Sequence, residues 1–130
     1  MGAFDTLRIA GSALGMHQTW LDTLAHNIAN INTVRPTSEA AFRPQYVVAS
    51  AQAGGGVGVA RIVEGSAEGR LEQAPDNPMA DAQGFVRAPD TDLASQMSQL
   101  VMAQRGFQAS VQVTKQAQEE YAAALQIGRG

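Results

Sequence analysis

The sequence predicts a mainly α-helical protein with a small β part. Long N- and C-terminal helices are expected to pack as a coiled-coil-like pair, with a β-hairpin and loop region between them. Three observations predict this arrangement: apolar or small residues recur in steps of three and four at both ends of the chain, the middle alternates apolar and polar residues, and glycine and proline concentrate there. The predicted parts are 1–33, 34–89 and 90–130.

The first helix is predicted from a heptad seam that is held for more than three heptads. It indicates a helix of about 26 residues, roughly 40 Å long. Gly11 and Gly15 lie inside this helix and lower its stability relative to alanine. They would be tolerated if another helix approached closely on that side. The seam consists of Leu7, Ala10, Leu14, His17, Leu21, Leu24, Ile28 and Ile31.

Three asparagines lie near the end of this helix, in the stretch HNIANINT. Asn27 and Asn30 share one face, where their amides can bond the last carbonyls of the helix, and Asn32 with Thr33 can close the following turn. Alternatively, two asparagines on one face fix the register between chains, as a buried polar position does in coiled coils. The residue pattern leaves both interpretations open.

The middle of the chain predicts one β-hairpin followed by a loop. AFRPQYVVA and VGVARIVEG alternate as strands do, and AGGGVG between them is a turn signal. Pro44 lacks a donor for the ladder and favours an edge strand. The stretch 65–89 predicts a compact loop with one short strand around Phe85 and Val86.

The second long helix is predicted from Asp90 to about Ile127. Asp90, Thr91 and Asp92 can cap its start, and Gly128 can end it. Small residues spaced by seven form a groove for the bulky side chains of a partner helix. The seam consists of Leu93, Gln96, Leu100, Ala103, Phe107, Ser110, Thr114, Ala117, Tyr121 and Ala124.

Composition and motif spacing argue against several classes of function. A net charge of −3, with 16% charged residues, gives no basic field for nucleic acid or an anionic membrane. The start of the chain has neither the apolar core of a secretory signal nor a membrane span, so we expect no membrane insertion. His17 and His26 lack the spacing of a zinc site, and the chain has no cysteine. We therefore expect no cofactor.

An enzyme is the least favoured class. The glycines at 54–56 lack the lysine and hydroxyl residue of a phosphate loop, so they indicate a turn. Glu119 and Glu120 are adjacent on a helix and project in different directions, which does not suit a pair of catalytic carboxylates. A soluble coiled-coil adaptor remains an alternative, because isolated heptad helices need a partner to be stable.

The chain resembles the bacterial flagellar basal-body rod family at both ends and over much of the middle, and it is most like the short proximal-rod members. The family's amino-terminal motif is matched by Asn27, Ile28, Ala29, Asn30 and Thr33. Further matches are Pro75, Pro78, Ala80, Asp81, Gly84, Phe85, Val86, Pro89, Asp92, Met97, Arg105, Phe107, Gln108 and Ala109. The departures from the family pattern are His26, Asp90 with Thr91, Gln96 and Ser110.

The resemblance implies a structural protein that assembles with its own copies and other rod proteins. Its terminal helices would form one axial domain inside a drive shaft that carries motor torque to the hook and filament. It would be exported by the flagellar type III apparatus without a cleaved signal and reside in the basal body, outside the cytoplasmic membrane. Another short rod protein is the alternative within the family.

The resemblance and the seams together predict two sets of site residues. The assembly interface is expected to include Leu7, Leu14, Leu21, Leu24, Asn27, Ile28, Asn30, Ile31, Leu100, Ala103, Arg105, Phe107, Gln108, Ser110, Thr114, Ala117, Tyr121 and Ala124. Arg105 is of particular interest because its planar guanidinium can bind a carboxylate or carbonyls across an interface. The family loop motif comprises Pro75, Pro78, Ala80, Asp81, Gly84, Phe85, Val86, Pro89 and Asp92.

Overall fold

The computed structural model describes residues 2–129 and confirms the predicted fold class. Two long helices pack against each other, and two short β-hairpins lie between them in the sequence. The elements in chain order are α1 (Ala3–Ala29), β1 (Gln45–Ala51), β2 (Val57–Glu64), β3 (Arg70–Gln73), β4 (Phe85–Ala88) and α2 (Leu93–Arg129).

Helix α1 ends two residues before the last position of its predicted seam, Ile31. The amides of Asn30 and Ile31 donate to the carbonyls three residues earlier, which tightens the last turn. The side chain of Asn30 donates to the His26 carbonyl at 2.9 Å, and the Thr33 hydroxyl donates to Asn30 Oδ1 at 3.2 Å. The capping interpretation is therefore confirmed for Asn30.

Helix α2 begins after the predicted cap and runs past the predicted stop. The Asp92 carboxylate accepts the amide of Ser95 at 3.0 Å, as an N-cap residue does. Gly128 lies inside the helix, so its prediction as the terminator was wrong. A glycine ends a helix by taking a positive φ, and Gly128 does not take one.

The first hairpin, β1 and β2, is confirmed. Gly55 and Gly56 in its turn have φ of 89° and 95°, which glycine adopts without strain. Pro44 precedes β1 and lies outside it, contrary to its predicted place in an edge strand. Its carbonyl accepts the amide of Gly65 at 2.7 Å, which joins the segments that flank the hairpin.

The second hairpin was only half predicted. β4 lies at the expected short strand, but β3 falls in a stretch predicted as loop. The two strands pair antiparallel from Arg70 with Ala88 to Gln73 with Phe85. All four residues of β3 are exposed, so the strand lacks the alternation of buried and exposed positions that identifies strands in a sequence.

The chain divides into two compact units. One contains α1 as far as Leu21, residues Val47–Arg61 and α2 from Val101. The other contains Asp22–Tyr46 and Ile62–Leu100. Each unit contains residues from all three predicted parts, 1–33, 34–89 and 90–130. The predicted division, which follows chain order, stays a prediction. Within residues 2–129, neither helix has the length and apolar character needed to cross a bilayer.

Within residues 2–129, no helix of the same chain approaches Gly11 or Gly15, and an approach by a helix of a neighbouring subunit stays a prediction. Both are exposed, and a β-carbon added at either would meet no atom of the described residues within 4 Å. At Gly106 the two helices do approach closely, because a β-carbon added there would lie 2.5 Å from Nε2 of His17. The close approach of the two helices is therefore made on the side of α2.

Candidate assembly surfaces

In the first unit, α1 and α2 pair through small residues of α2. Ala103, Ser110 and Ala117 are buried at intervals of seven residues, so the predicted groove exists. It is covered by α1 of the same chain, as the contact of Ser110 with His17 shows. The rings of Phe4 and Tyr121 are also in contact, with centroids 6.2 Å apart, and this contact together with that of His17 and Ser110 shows that the helices run antiparallel.

His17 is a polar contact of the seam in this unit. Its Nδ1 lies 2.9 Å from the Ala13 carbonyl and 3.0 Å from Oγ of Ser110. A carbonyl only accepts, so a hydrogen bond to Ala13 requires a proton on Nδ1 of His17. The ring covers Gly106, where any side chain would collide with it. Among the described residues there is no group of three or more side chains suited to a metal ion.

The first hairpin is fastened to α1 by two side chains that sequence analysis did not identify. Arg8 donates to the carbonyls of Gly54 and Gly55 at 2.6 and 3.3 Å. Ser12 Oγ accepts the amide of Val57 at 3.1 Å. A single arginine and serine in a helix carry no signal for such contacts, because their partners lie more than forty residues away.

In the second unit, Asn27 fixes the register of three segments of the chain. Its side chain is fully buried and donates to the Gln45 carbonyl at 2.8 Å and to Oε1 of Gln96 at 3.0 Å. Its Oδ1 accepts the amide of Gln45 at 2.8 Å. The amide thus links α1 with α2 and with the start of β1. A register role between separate chains stays a prediction.

The departures from the family pattern take part in these contacts. Gln96 is the partner of Asn27, and Ser110 is the partner of His17. The ring of His26 lies 5.3 Å from that of Phe42, measured between centroids. Three of the four departures therefore pair within their own unit, whereas Asp90 is exposed.

The family loop motif is organised around Asp81. One carboxylate oxygen accepts the amides of Gln83 and Phe85 at 2.9 Å each, and the other accepts the hydroxyl of Thr37 at 3.0 Å. The Phe85 amide is the main cause that lowers the pKa of Asp81 below its ordinary value. Because folding lowers the pKa of Asp81, its ionised carboxylate stabilises the folded state at pH values above the unfolded pKa of 3.8. This stabilisation is lost as the pH falls through the folded pKa.

Other members of the motif shape the same loop. Gly84 has a φ of 85° and packs against Pro75, while Val86 and Pro89 are fully buried. Arg87, which was not predicted, donates to the carbonyls of Glu68 and Thr37 at 2.7 and 2.8 Å. The segment 34–41 is thereby held to the motif. The motif residues Pro78 and Asp92 are exposed, and Ala80 is half-buried.

The remaining predicted interface residues fall into three groups. Leu24 is buried. Arg105, Gln108 and Ala124 are exposed, and no hydrogen bond or ion pair of the described residues involves Arg105. Half-buried positions are Leu7, Leu14, Leu21, Ile28, Ile31, Leu100, Phe107, Thr114 and Tyr121. Their contact with neighbouring subunits stays a prediction.

Both ends of the chain match sequence models of known families. Residues 7–37 match the family described as flagella basal body rod protein. Residues 82–127 match the C-terminal family of the flagellar basal body rod FlgEFG proteins.

Whole relatives are similar over nearly their full length. The flagellar basal-body rod protein FlgC of Salmonella typhimurium is 34% identical over 99% of this chain and 100% of the relative. The FlgC protein of Yersinia enterocolitica is 39% identical over 87% of this chain and 88% of the relative. The FlgC protein of Bacillus subtilis is 27% identical over 99% of this chain and 100% of the relative. This chain therefore belongs to the FlgC family of flagellar basal-body rod proteins.

Proposed function

We propose that this chain is a self-assembling structural subunit of the proximal rod, which transmits motor torque to the hook and filament. The observation that carries the proposal is the similarity to FlgC proteins along nearly the whole chain, on a fold whose two long helices form one antiparallel pair. In this role the chain has no catalytic step. Its partners are its own copies and other rod proteins.

The exposed side chains of α2 support an assembled state. Large apolar groups stay exposed along the helix, although the seam positions Ala103, Ser110 and Ala117 are buried. Where such groups form a contiguous patch, exposed apolar surface marks contact sites in soluble proteins. The residues concerned are Leu93, Met97, Val101, Met102, Val111, Val113, Leu125 and Ile127.

In the proposed rod, neighbouring subunits contact the paired helices from outside. Arg105, Gln108 and Ala124 are the members of the predicted interface set most accessible for this purpose. The seam residues hold α1 and α2 of one subunit together. The exposed parts of the half-buried seam residues can also contact neighbouring subunits. Export through the flagellar type III apparatus and a position outside the cytoplasmic membrane belong to the same proposal.

Imaging of purified protein tests this function. The chain, alone and mixed with other axial proteins of the same flagellum, is expected to form open-ended rods that electron microscopy resolves. Small oligomers of fixed size in every mixture would support a coiled-coil adaptor and contradict the proposal. Absence of the protein from purified basal bodies would contradict it as well.

A further inference from the structure

We propose that the outer face of α2 packs into a groove on a second copy of this chain, so that copies join head to tail. The inference rests on the proposed function and names the two surfaces that meet. Both surfaces lie within the unit that contains α1 as far as Leu21 and α2 from Val101.

The first surface is a second line of residues at heptad spacing, which we call the outer stripe. Its members recur in steps of four and three along α2, beside the buried seam, and all are exposed. Only one of them is charged, which is unusual for the solvent side of a helix and typical of a side that meets another helix. The stripe consists of Val101, Gln104, Gln108, Val111, Lys115 and Gln118.

The second surface is an open groove of about 290 Å³ between α1 and α2. It has no charged side chain, and two of its residues are alanines, so a neighbouring helix can approach closely. We call it the α1 groove. Its lining consists of Thr6, Ile9, Ala10, Ala13 and Val113.

The two surfaces lie on nearly opposite sides of α2. Successive residues of a helix are rotated by about 100°, so Val111 in the outer stripe and Val113 in the α1 groove point about 200° apart. One copy can therefore offer its stripe to one neighbour and its groove to another. Contacts between two different surfaces do not close into a dimer, and they continue as an open assembly.

Charge complementarity selects a second copy as the occupant. Lys115 is the single charge of the stripe, and Asp5 stands beside the groove, one helical turn before Ile9. When Val111 lies over Ile9 and the two helices run antiparallel, Lys115 lies over Asp5. Within its own chain, Asp5 accepts a long 3.4 Å hydrogen bond from the amide of Gly2 and forms a 3.8 Å pair with Arg8, in which both side chains are nearly half exposed. Such a pair contributes little.

Charge reversal tests the contact. Lys115→Glu places two carboxylates at each interface, and Asp5→Lys places two ammonium groups there, so each variant is expected to weaken self-association about tenfold or more. Mixing the two variants restores opposite charges at every interface of an alternating assembly, and association should recover. The double variant should recover alone. Sedimentation velocity over a concentration series measures each case.

Controls separate this contact from effects on folding and from the proposed function. Gln116→Glu changes an exposed residue beside Lys115 outside the stripe and should associate like the unaltered chain. Thermal unfolding should be nearly unchanged in every variant. Suppose that the unaltered chain associates. If the single-reversal variants associate equally well, or if mixing them does not restore association, the proposed contact is wrong while rod assembly stands. If the unaltered chain does not associate with itself, this contact is wrong, whereas the proposed function fails only if mixtures with other axial proteins form no rods either.

Discussion

Replacing Asn27 with alanine is expected to lower the free energy of unfolding by about 4 kcal/mol. The change removes three hydrogen bonds from a fully buried position and leaves the backbone groups of Gln45 and the side-chain carbonyl of Gln96 without their partner. Each buried group left unsatisfied costs about 1–3 kcal/mol. Urea denaturation followed by circular dichroism measures the loss.

Asn30 provides the matched control. It lies one turn further along, and its side chain bonds only the local carbonyl of His26 and the hydroxyl of Thr33. Asn30→Ala should therefore cost about 1 kcal/mol or less, which is typical of a lost capping interaction. Equal losses from the two alanine variants would show that Asn27 does not fix the register of α1, α2 and β1.

Enlarging Ala103 to leucine is expected to separate the two long helices and to destabilise the chain by about 3 kcal/mol. Ala103 is completely buried at the centre of the seam, so three added carbon atoms have no space unless α1 moves away. Overpacking of a filled core typically costs 1–3 kcal/mol. The measurement is again the free energy of unfolding, together with the protease sensitivity of the helix ends.

The same substitution at Ala109 is the control, because this residue lies on α2 but faces solvent. Leucine and alanine have similar helix propensities, so Ala109→Leu should change the stability by only a few tenths of a kcal/mol. A tolerated Ala103→Leu would mean that the helices are not packed closely at this position, and the described pairing would be incorrect.

The helices and their seams could be predicted because their information is local. Steps of three and four identified the buried and half-buried seam positions of α2 from Gln96 to Tyr121, and Asp92 marked its start. The strand β3 could not be found in this way. It has four exposed residues, and its pairing with β4 depends on a turn held by the Asp81 carboxylate.

Side chains that act over long sequence distances left no signal in the sequence. Arg8 holds a turn 46 residues away, and Arg87 bonds the carbonyl of Thr37 across 50 residues. Asn27 was identified as important, but the pattern did not distinguish a partner in the same chain from one in a neighbour. A heptad seam has the same ambiguity, because it specifies a partner helix without specifying which chain supplies it.

The central claim is that α1 and α2 of one subunit pair with each other and remain paired in the rod. The chain contains no cysteine, so a His17→Cys, Ser110→Cys double variant can be cross-linked with a short bifunctional thiol reagent in both the monomer and the assembled rod. The two single variants serve as controls. A denaturing gel should show one internally linked monomer band in both states. A ladder of covalently joined subunits from the rod would contradict the claim, since the seam would then be shared between neighbouring chains.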